Sequence, residues 1–200
     1  MCGRFYVDDD TAREIERVVR KVDEQLRREK HTGDIHPTQQ AAVITAGQEG
    51  MTAENKRWGF PGFGTRKVIF NARAESVLEK KMFRESVLRR RLIVPASGFY
   101  EWNAGKEKVT FTAMNTEQKA SSILFLAGFY NRFADGDRFV ILTTAANASM
   151  KDTHDRMPLI LEPQELETWL WEEECLDALL HKEPRQLRKK LDYEQQVLHF

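Results

Sequence analysis

The chain has 200 residues, of which 41% are hydrophobic and 31% charged, and its formal net charge at pH 7 is zero. This composition is typical of a folded globular protein and excludes a fibrous or disordered chain, while the length fits one domain over residues 1–200. No stretch approaches the ~20 consecutive apolar residues of a membrane span, and we find no leader segment, so we expect a cytoplasmic protein without a membrane partner.

The first predicted elements are a short strand over Cys2–Val7 and an amphipathic helix after it. Apolar residues recur at helical spacing from Ile15 to Leu26, which is the pattern of a helix with one buried face. Thr11-Ala12-Arg13-Glu14 has the form of a capping box, so we expect the helix to begin there.

The next hundred residues have the pattern of a sheet protein, with runs of β-branched and aromatic residues separated by turn residues. The predicted strands are Ala42–Thr45, Val68–Phe70, Leu92–Val94, Gly98–Trp102, Val109–Ala113, Ile123–Tyr130 and Phe139–Thr144. Asn103-Ala104-Gly105 and Asp135-Gly136 are predicted hairpin turns. Short helices are predicted over Ala74–Lys80 and Phe83–Arg90, and a helical extension over 163–200. We therefore predict an α+β fold with a mainly antiparallel sheet, curled into a sandwich or barrel, and flanking helices.

Cysteine and histidine usage gives no sign of a metal or disulfide framework. The two cysteines, Cys2 and Cys175, lie at opposite ends of the chain, which is too few for a structural zinc site or a disulfide-stabilised domain. His31 and His36 lie five residues apart with no cysteine nearby, so we do not interpret them as metal ligands. We predict no metal and no cofactor.

Charge is unevenly distributed along the chain despite the neutral total. Residues 51–100 contain 11 Lys and Arg against 4 Asp and Glu, a local charge of +7, whereas residues 151–200 contain 7 against 12. Because clustered cations attract polyanions, we expect any nucleic-acid site in the middle of the chain.

Cys2 has the most distinctive chemistry, because it directly follows the initiator methionine. Aminopeptidases remove Met before a small second residue, which would leave a cysteine with a free α-amine. Such a 1,2-aminothiol condenses with an aldehyde to an imine, and its thiol then closes a thiazolidine ring. Both nucleophiles are close to competent at neutral pH. Taken alone, position 2 fits an ordinary small residue of an edge strand better.

Four further segments group residues that could act together with Cys2. Phe70–Ser76 follows a strand and opens a helix, a place where polar side chains and backbone N–H groups can meet a phosphate. Gly98–Trp102 places a carboxylate among apolar neighbours, and Asp152–Pro158 surrounds a histidine with carboxylates and a cation. Trp58–Gly64 is a stiff loop of aromatic residues, proline and glycine.

Each segment also has a purely structural interpretation. Asn71 can cap the helix that follows it. Glu101 can face solvent on a half-exposed strand, and His154 can be held in its loop by neighbouring carboxylates. The run Arg89–Arg91 fits a solvated surface better than a phosphate contact.

Taken together, the motifs and their order resemble the SRAP family, the SOS-response-associated peptidases now understood as abasic-site processing proteins. The resemblance rests on five stretches: Met-Cys-Gly-Arg-Phe at the start, then Asn71–Glu75, Gly98–Trp102, Thr143–Ala146 and Thr153–Pro158. It runs from Met1 to about Glu162. Two departures stand out: Asp34-Ile35-His36-Pro37 replaces the Asn-x-Ala-Pro of many members, and Phe63 stands where a tryptophan is expected.

The resemblance implies a role for each matching position. The family's catalytic positions fall on Cys2, Asn71, Glu101 and His154. Its DNA-binding positions fall on Arg4, Arg73, Trp58, Pro61, Phe63 and Thr144. The two arginines would hold phosphates, and the aromatic loop would stack beside the lesion.

The implied function is covalent capture of an abasic deoxyribose in single-stranded DNA, shielding the lesion in the SOS response, with AP-lyase-type activity also possible. His154 would aid ring opening, Glu101 would relay protons and Asn71 would fix the geometry of attack. One alternative is a thiol peptidase that uses Cys2 and His154 and at least removes its own Met1. Another is a non-catalytic single-strand binder. We expect a monomer, associated with the nucleoid when DNA is damaged.

Overall fold

The structure is a computed structural model that describes residues 3–19, 21–22, 32–62, 68–114 and 123–191. Its strands are β1 (Phe5–Val7), β2 (Lys21–Val22), β3 (Gly33–Ile35), β4 (Gln40–Gly47), β5 (Gly50–Trp58), β6 (Phe60–Pro61), β7 (Val68–Ile69), β8 (Asn71–Arg73), β9 (Arg91–Ala96), β10 (Gly98–Trp102), β11 (Lys108–Ala113), β12 (Leu124–Phe133), β13 (Gly136–Ala145), β14 (Arg156–Pro158), β15 (Ile160–Leu161) and β16 (Leu187–Leu191). Its helices are α1 (Asp9–Val18), α2 (Lys81–Arg89), α3 (Leu166–Trp171) and α4 (Leu176–Leu180), with 3₁₀ helices at Ala74–Glu79 and Pro163–Glu165. Within these ranges no helix is long and apolar enough to cross a membrane.

Five strands form a closed ring in the order β13, β12, β9, β4, β5. Neighbours around the ring are antiparallel, and β5 closes it by pairing in parallel with β13 at Arg57–Arg138 and Trp58–Phe139. Closure pairs each of these strands on both sides and so removes free sheet edges. The predicted curled, mainly antiparallel sheet and the α+β class are confirmed.

A second sheet is open and has five antiparallel strands in the order β16, β11, β10, β1, β3. Phe5 of β1 lies opposite Phe99 of β10, and Val109 of β11 lies opposite Leu191 of β16. The last described strand therefore belongs to the same sheet as the first described residues.

Two apolar clusters hold these layers together. In one, side chains of the ring such as Ile44 and Phe129 pack with helix residues, including Val87 and Leu170. In the other, alternate side chains of the ring pack with the inner face of the open sheet; its largest members are Phe5, Trp58, Phe99, Phe111 and Phe139. Because successive strand residues point to opposite faces, one ring supplies both clusters.

The first helix is shorter than the stretch of helically spaced apolar residues that predicted it. It ends at Val18, Val19 is extended, and Lys21–Val22 pairs in parallel with Thr52–Ala53 of β5. The helix cap is Asp8, whose carboxylate accepts the Thr11 N–H at 2.7 Å, so the predicted capping box at Thr11 is wrong.

Two strands, β5 and β16, also depart from what the sequence predicted. The strand β5 was not predicted, because its sequence is mostly polar; its buried Lys56 is paired with Glu54 and Asp137. The C-terminal extension, predicted as helical over 163–200, contains the strand β16. In that strand the buried Leu187 is followed by three exposed cations in a row, so the ladder with β11 rather than an alternating pattern determines its conformation.

Candidate active site

Glu101 is buried at one end of the open sheet, with 4% of its surface exposed. It lies on the same face of β10 as Phe99, which is in the core shared with the ring. Its neighbour Trp102 faces the other way and is 40% exposed. The interpretation of Glu101 as a solvent-facing strand residue is therefore wrong.

The first described residues run beside this strand. Phe5 pairs with Phe99, and the N–H of Tyr100 donates to the carbonyl of Arg4 at 3.0 Å. Extending this antiparallel register by one residue sets Gly3 opposite Glu101. Cys2 lies outside the described residues.

Asn71 begins β8, which pairs in parallel with residues 141–143 of β13, Asn71 opposite Ile141. The carbonyl of the preceding residue, Phe70, accepts the indole N–H of Trp58 at 2.9 Å. The carbonyl of Phe70 also accepts the N–H of Ile141 at 3.1 Å. Two contacts with the core thus hold the backbone directly before Asn71.

His154 lies in a loop immediately before β14, and about a quarter of its side chain is exposed. Its Nδ1 accepts the backbone N–H of Arg156 at 3.0 Å, which leaves the proton of the neutral ring on Nε2. Asp155 Oδ1 also lies 2.8 Å from Nδ1. One nitrogen cannot accept and donate at once, so Nδ1 donates to Asp155 only in a form of the ring that carries a proton on Nδ1.

Arg156 connects the histidine segment to the asparagine segment. Its guanidinium binds both carboxylate oxygens of Glu75, at 2.7 and 2.8 Å, and donates to the carbonyl of Thr143 at 2.6 Å. Burial of Glu75 raises its pKa, but the Arg156 hydrogen bonds outweigh this, with help from the charge of Arg73, and hold the pKa below its ordinary value. Bidentate pairs of this kind fix geometry as well as contributing energy.

The three predicted side chains are thus attached to one core. Phe70 precedes Asn71, Phe99 shares a face with Glu101, and the two methionines flanking His154 in sequence, Met150 and Met157, are buried. All four of these neighbours pack in the cluster between the ring and the open sheet.

A C-terminal segment holds the histidine loop from the other side. Asn147 is buried, and its amide donates to the carbonyls of Pro184 at 2.8 Å and Arg185 at 3.0 Å. Its Oδ1 accepts from the N–H and hydroxyl of Ser149, whose oxygen in turn accepts the N–H of Leu187 at 3.1 Å. We call this network the Asn147 clamp.

Arg4 lies in a polar and aromatic group on the outer face of the open sheet. Its guanidinium is 3.7 Å from Asp34 and lies 5.3 Å from the ring centroid of Trp102. Asp34 also accepts the hydroxyl of Tyr100 at 3.0 Å. The guanidinium is about one third exposed, so it is accessible to an anion beside the end of β10.

The other predicted DNA-binding residues differ in their exposure to solvent. Trp58 is completely buried among Phe5, Phe70 and Phe139, so the prediction that it stacks on DNA is wrong: neither face of its ring is accessible. Three residues reach the surface to varying degrees: Pro61 and Arg73 are exposed and Thr144 is half-buried. Phe63 lies outside the described residues.

Several cations of the basic middle segment form ion pairs or hydrogen bonds within the protein, which the sequence did not indicate. Lys56 and Arg57 pair with Asp137 and Asp135. Of the arginine run predicted to be a solvated surface, Arg89 pairs with Glu173, between α3 and α4, and Arg90 pairs with Glu85 of α2. Arg91 is buried and donates to carbonyls at the ends of two helices, those of Val87, Leu88, Trp169 and Leu170.

Three residues of this site had no role in the sequence interpretation: Glu75, Arg156 and Asn147. Glu75 and Arg156 lie inside two of the motifs that carry the family resemblance. The only sign of an ion pair in the sequence is that one motif contains a carboxylate and the other a cation. Their pairing is not readable from spacing, since 81 residues separate them. No group of three or more His, Cys, Asp or Glu able to hold a metal occurs among the residues that the structure describes.

Comparison with known proteins agrees with the motif order. The model of the SOS response associated peptidase (SRAP) family matches residues 1–196, and the chain belongs to this family. The abasic site processing protein YoqW of Bacillus subtilis (strain 168) is 33% identical over 186 residues, covering 85% of this chain and 80% of that protein. The abasic site processing protein YedK of Escherichia coli (strain K12) is 27% identical, covering 86% and 81%.

The fold also matches a solved structure. A crystal structure of a protein from Bordetella bronchiseptica superposes with a TM-score of 0.77 at 23% identity, over 96% of this chain and all of that one. This likeness shows the fold alone.

Proposed function

We propose that this protein processes abasic sites in single-stranded DNA by covalent capture of the ring-opened sugar on Cys2. The names of its relatives support the substrate. The observation that carries the proposal is the register of β1, which leads the start of the chain towards the buried carboxylate of Glu101. Cys2 is joined to Gly3, so their Cα atoms are about 3.8 Å apart.

The proposed reaction is a condensation followed by a ring closure. Once Met1 is removed, the free α-amine attacks the aldehyde carbon C1 of the sugar, and loss of one water gives an imine. The thiol of Cys2 then adds across the C=N bond: a C–S bond forms and the thiol proton passes to nitrogen. Aldehyde and aminothiol become a thiazolidine and water, with no change in oxidation state. Cleavage of the strand from the imine would be the lyase branch.

Each of the other predicted residues has a task in this scheme. Glu101 protonates the departing hydroxyl, which leaves as water, and the resulting carboxylate then takes the thiol proton and passes it to nitrogen during ring closure. His154 exchanges protons through Nε2, since Nδ1 is occupied by the backbone of Arg156, and so assists opening of the closed sugar. Asn71 orients the sugar or the terminal amine through hydrogen bonds, where a misplacement of about 1 Å can cost a hundredfold in rate.

The decisive experiment mixes the protein with single-stranded DNA carrying one abasic site and separates the products on a denaturing gel. We expect a heat-stable shifted band for the wild type and for Cys175→Ala, the matched control. Cys2→Ala should give none. Cys2→Ser, which retains the amine, should be trapped only with borohydride, because it cannot form a thiazolidine.

Mass spectrometry of the purified protein reports the state of the terminus in the same samples. A crosslink formed by protein that retains Met1, or an adduct of Cys2→Ala, would remove the terminal aminothiol from the mechanism. Hydrolysis of peptide substrates that depends on Cys2, without any DNA adduct, would favour the thiol peptidase. Binding without an adduct would favour the non-catalytic single-strand binder.

A further inference from the structure

The outer face of the open sheet combines cations and aromatic rings from four of its strands. Strand alternation turns Tyr100 and Trp102 of β10 to this face, opposite to the core residue Phe99. Tyr100 is buried and stacks on Tyr6 of β1 with ring centroids 5.3 Å apart and an interplanar angle of 20°, so the exposed ring of β10 is that of Trp102. Interleaved rings and cations are the surface on which single-stranded nucleic acids bind without reading sequence.

The ladder register continues this face across β11 and β16. Trp102 lies opposite Lys108, whose Nζ is 3.9 Å from the ring centroid of Tyr100. Tyr100 lies opposite Thr110, which in turn lies opposite the exposed Lys190. One row across four strands therefore runs from Arg4 to Lys190, a distance of about 14 Å at ~4.8 Å per strand.

A second row reinforces the first at the far edge. Thr112 lies opposite Arg188, which is exposed, two residues before Lys190 on the same face of β16. The intervening Lys189 points to the other face and binds Asp152 of the histidine loop. The acidic group on the described part of this face, Asp34, lies at the opposite edge on β3 and is engaged by Arg4 and Tyr100.

We propose that this outer face, with Arg188 and Lys190 at its edge, is the track along which single-stranded DNA flanking the lesion passes away from the site. The inference rests on the proposed function for its choice of polyanion. Charge complementarity supports it: four cations, Arg4, Lys108, Arg188 and Lys190, share the face with the exposed ring of Trp102. The acidic average of residues 151–200 conceals the two cations of β16.

The test is the salt dependence of binding to an intact single-stranded oligonucleotide without a lesion. Arg188→Gln/Lys190→Gln should lower the slope of log Kd against log salt by about 1.4, because each phosphate contact on a single strand contributes about 0.7. The matched control is Lys81→Gln/Arg84→Gln, which removes the same charge from exposed positions on α2. The control should leave the slope unchanged.

Two results would overturn the proposal. If the salt slope changes in the α2 variant and stays the same in the β16 variant, the DNA phosphates bind over the helices. That is the basic middle segment in which the sequence predicted a nucleic-acid site. An unchanged slope with new self-association of the β16 variant would mean that these cations only protect a sheet edge.

Crosslinking at saturating abasic DNA separates the two proposals. It should remain at the wild-type level in the β16 variant, because neither side chain belongs to the proposed chemistry. If the wild type forms no crosslink, the proposed function fails, whereas the salt slopes still decide whether this face binds DNA.

Discussion

The closed ring and the open sheet each contain five strands, yet they serve different purposes. Strands of the ring are paired on both sides, and their alternate side chains enter two apolar clusters. The open sheet packs one face against the core, and its outer face carries cations, the exposed ring of Trp102 and the buried ring of Tyr100. The polar candidate residues lie where the sheet meets the ring: at the end of β10, at the start of β8 and in the loop before β14.

This difference shows how a rigid scaffold can carry a reactive site. A ring without edges resists distortion, so it can position short segments such as β8 and β14 on either side of β13. The open sheet supplies an accessible surface and the strand that leads to the start of the chain. Variants that act on the ring, on the junction and on the exposed ion pair should therefore differ in size of effect.

The largest effect on stability should come from Trp58, in the ring. Trp58→Ala removes a completely buried indole and the hydrogen bond to Phe70, so we expect a loss of about 3–5 kcal/mol in the free energy of unfolding. Urea denaturation measures it. Trp171→Ala, at a tryptophan that is 44% exposed, is the control and should cost about 0.5 kcal/mol. Equal losses for the two variants would contradict the assignment of Trp58 to the core.

A smaller effect should come from the Asn147 clamp at the junction. Asn147→Ala leaves the carbonyls of Pro184 and Arg185 without their amide donor, which should cost about 1–3 kcal/mol. The crosslinking rate should fall as well, because the loop of His154 loses its anchor. Asn131→Ala is the control, because the side chain of this half-buried asparagine accepts the N–H of the next residue, Arg132. If the Asn147 variant is as stable as this control, the loop of His154 keeps its conformation without the Asn147 clamp.

The smallest effect should come from the ion pair of Glu75 with Arg156, and it should depend on pH. The folded-state pKa of Glu75 lies below its ordinary value of 4.5, so the pair contributes stability above that pH, and the contribution is lost as the pH falls through the folded-state pKa. Glu75→Gln should therefore be less stable than the wild type at pH 7, with a difference that shrinks on acidification. Paired urea titrations from pH 7 to about pH 3 measure this difference. A difference that grows as the pH falls would contradict the assignment.

Much of the fold was predictable because its signals are local. The strand β10 was predicted with its observed bounds, and the hairpin between β12 and β13 turns before Gly136, whose φ of 113° favours glycine. The strand β5 escaped prediction because its residues are polar. Its place in the ring depends on partners far along the chain, such as Asp137 for Lys56.

The sequence by itself determined the α+β class, half of the described strands and the ordered motifs that identify the family. Only the tertiary structure decided that Trp58 is a core residue, that Arg156 binds Glu75, and that cations from an acidic stretch share a face with Trp102. The physical reason is that side-chain period and turn chemistry are local, whereas burial and ion pairing depend on which strands become neighbours.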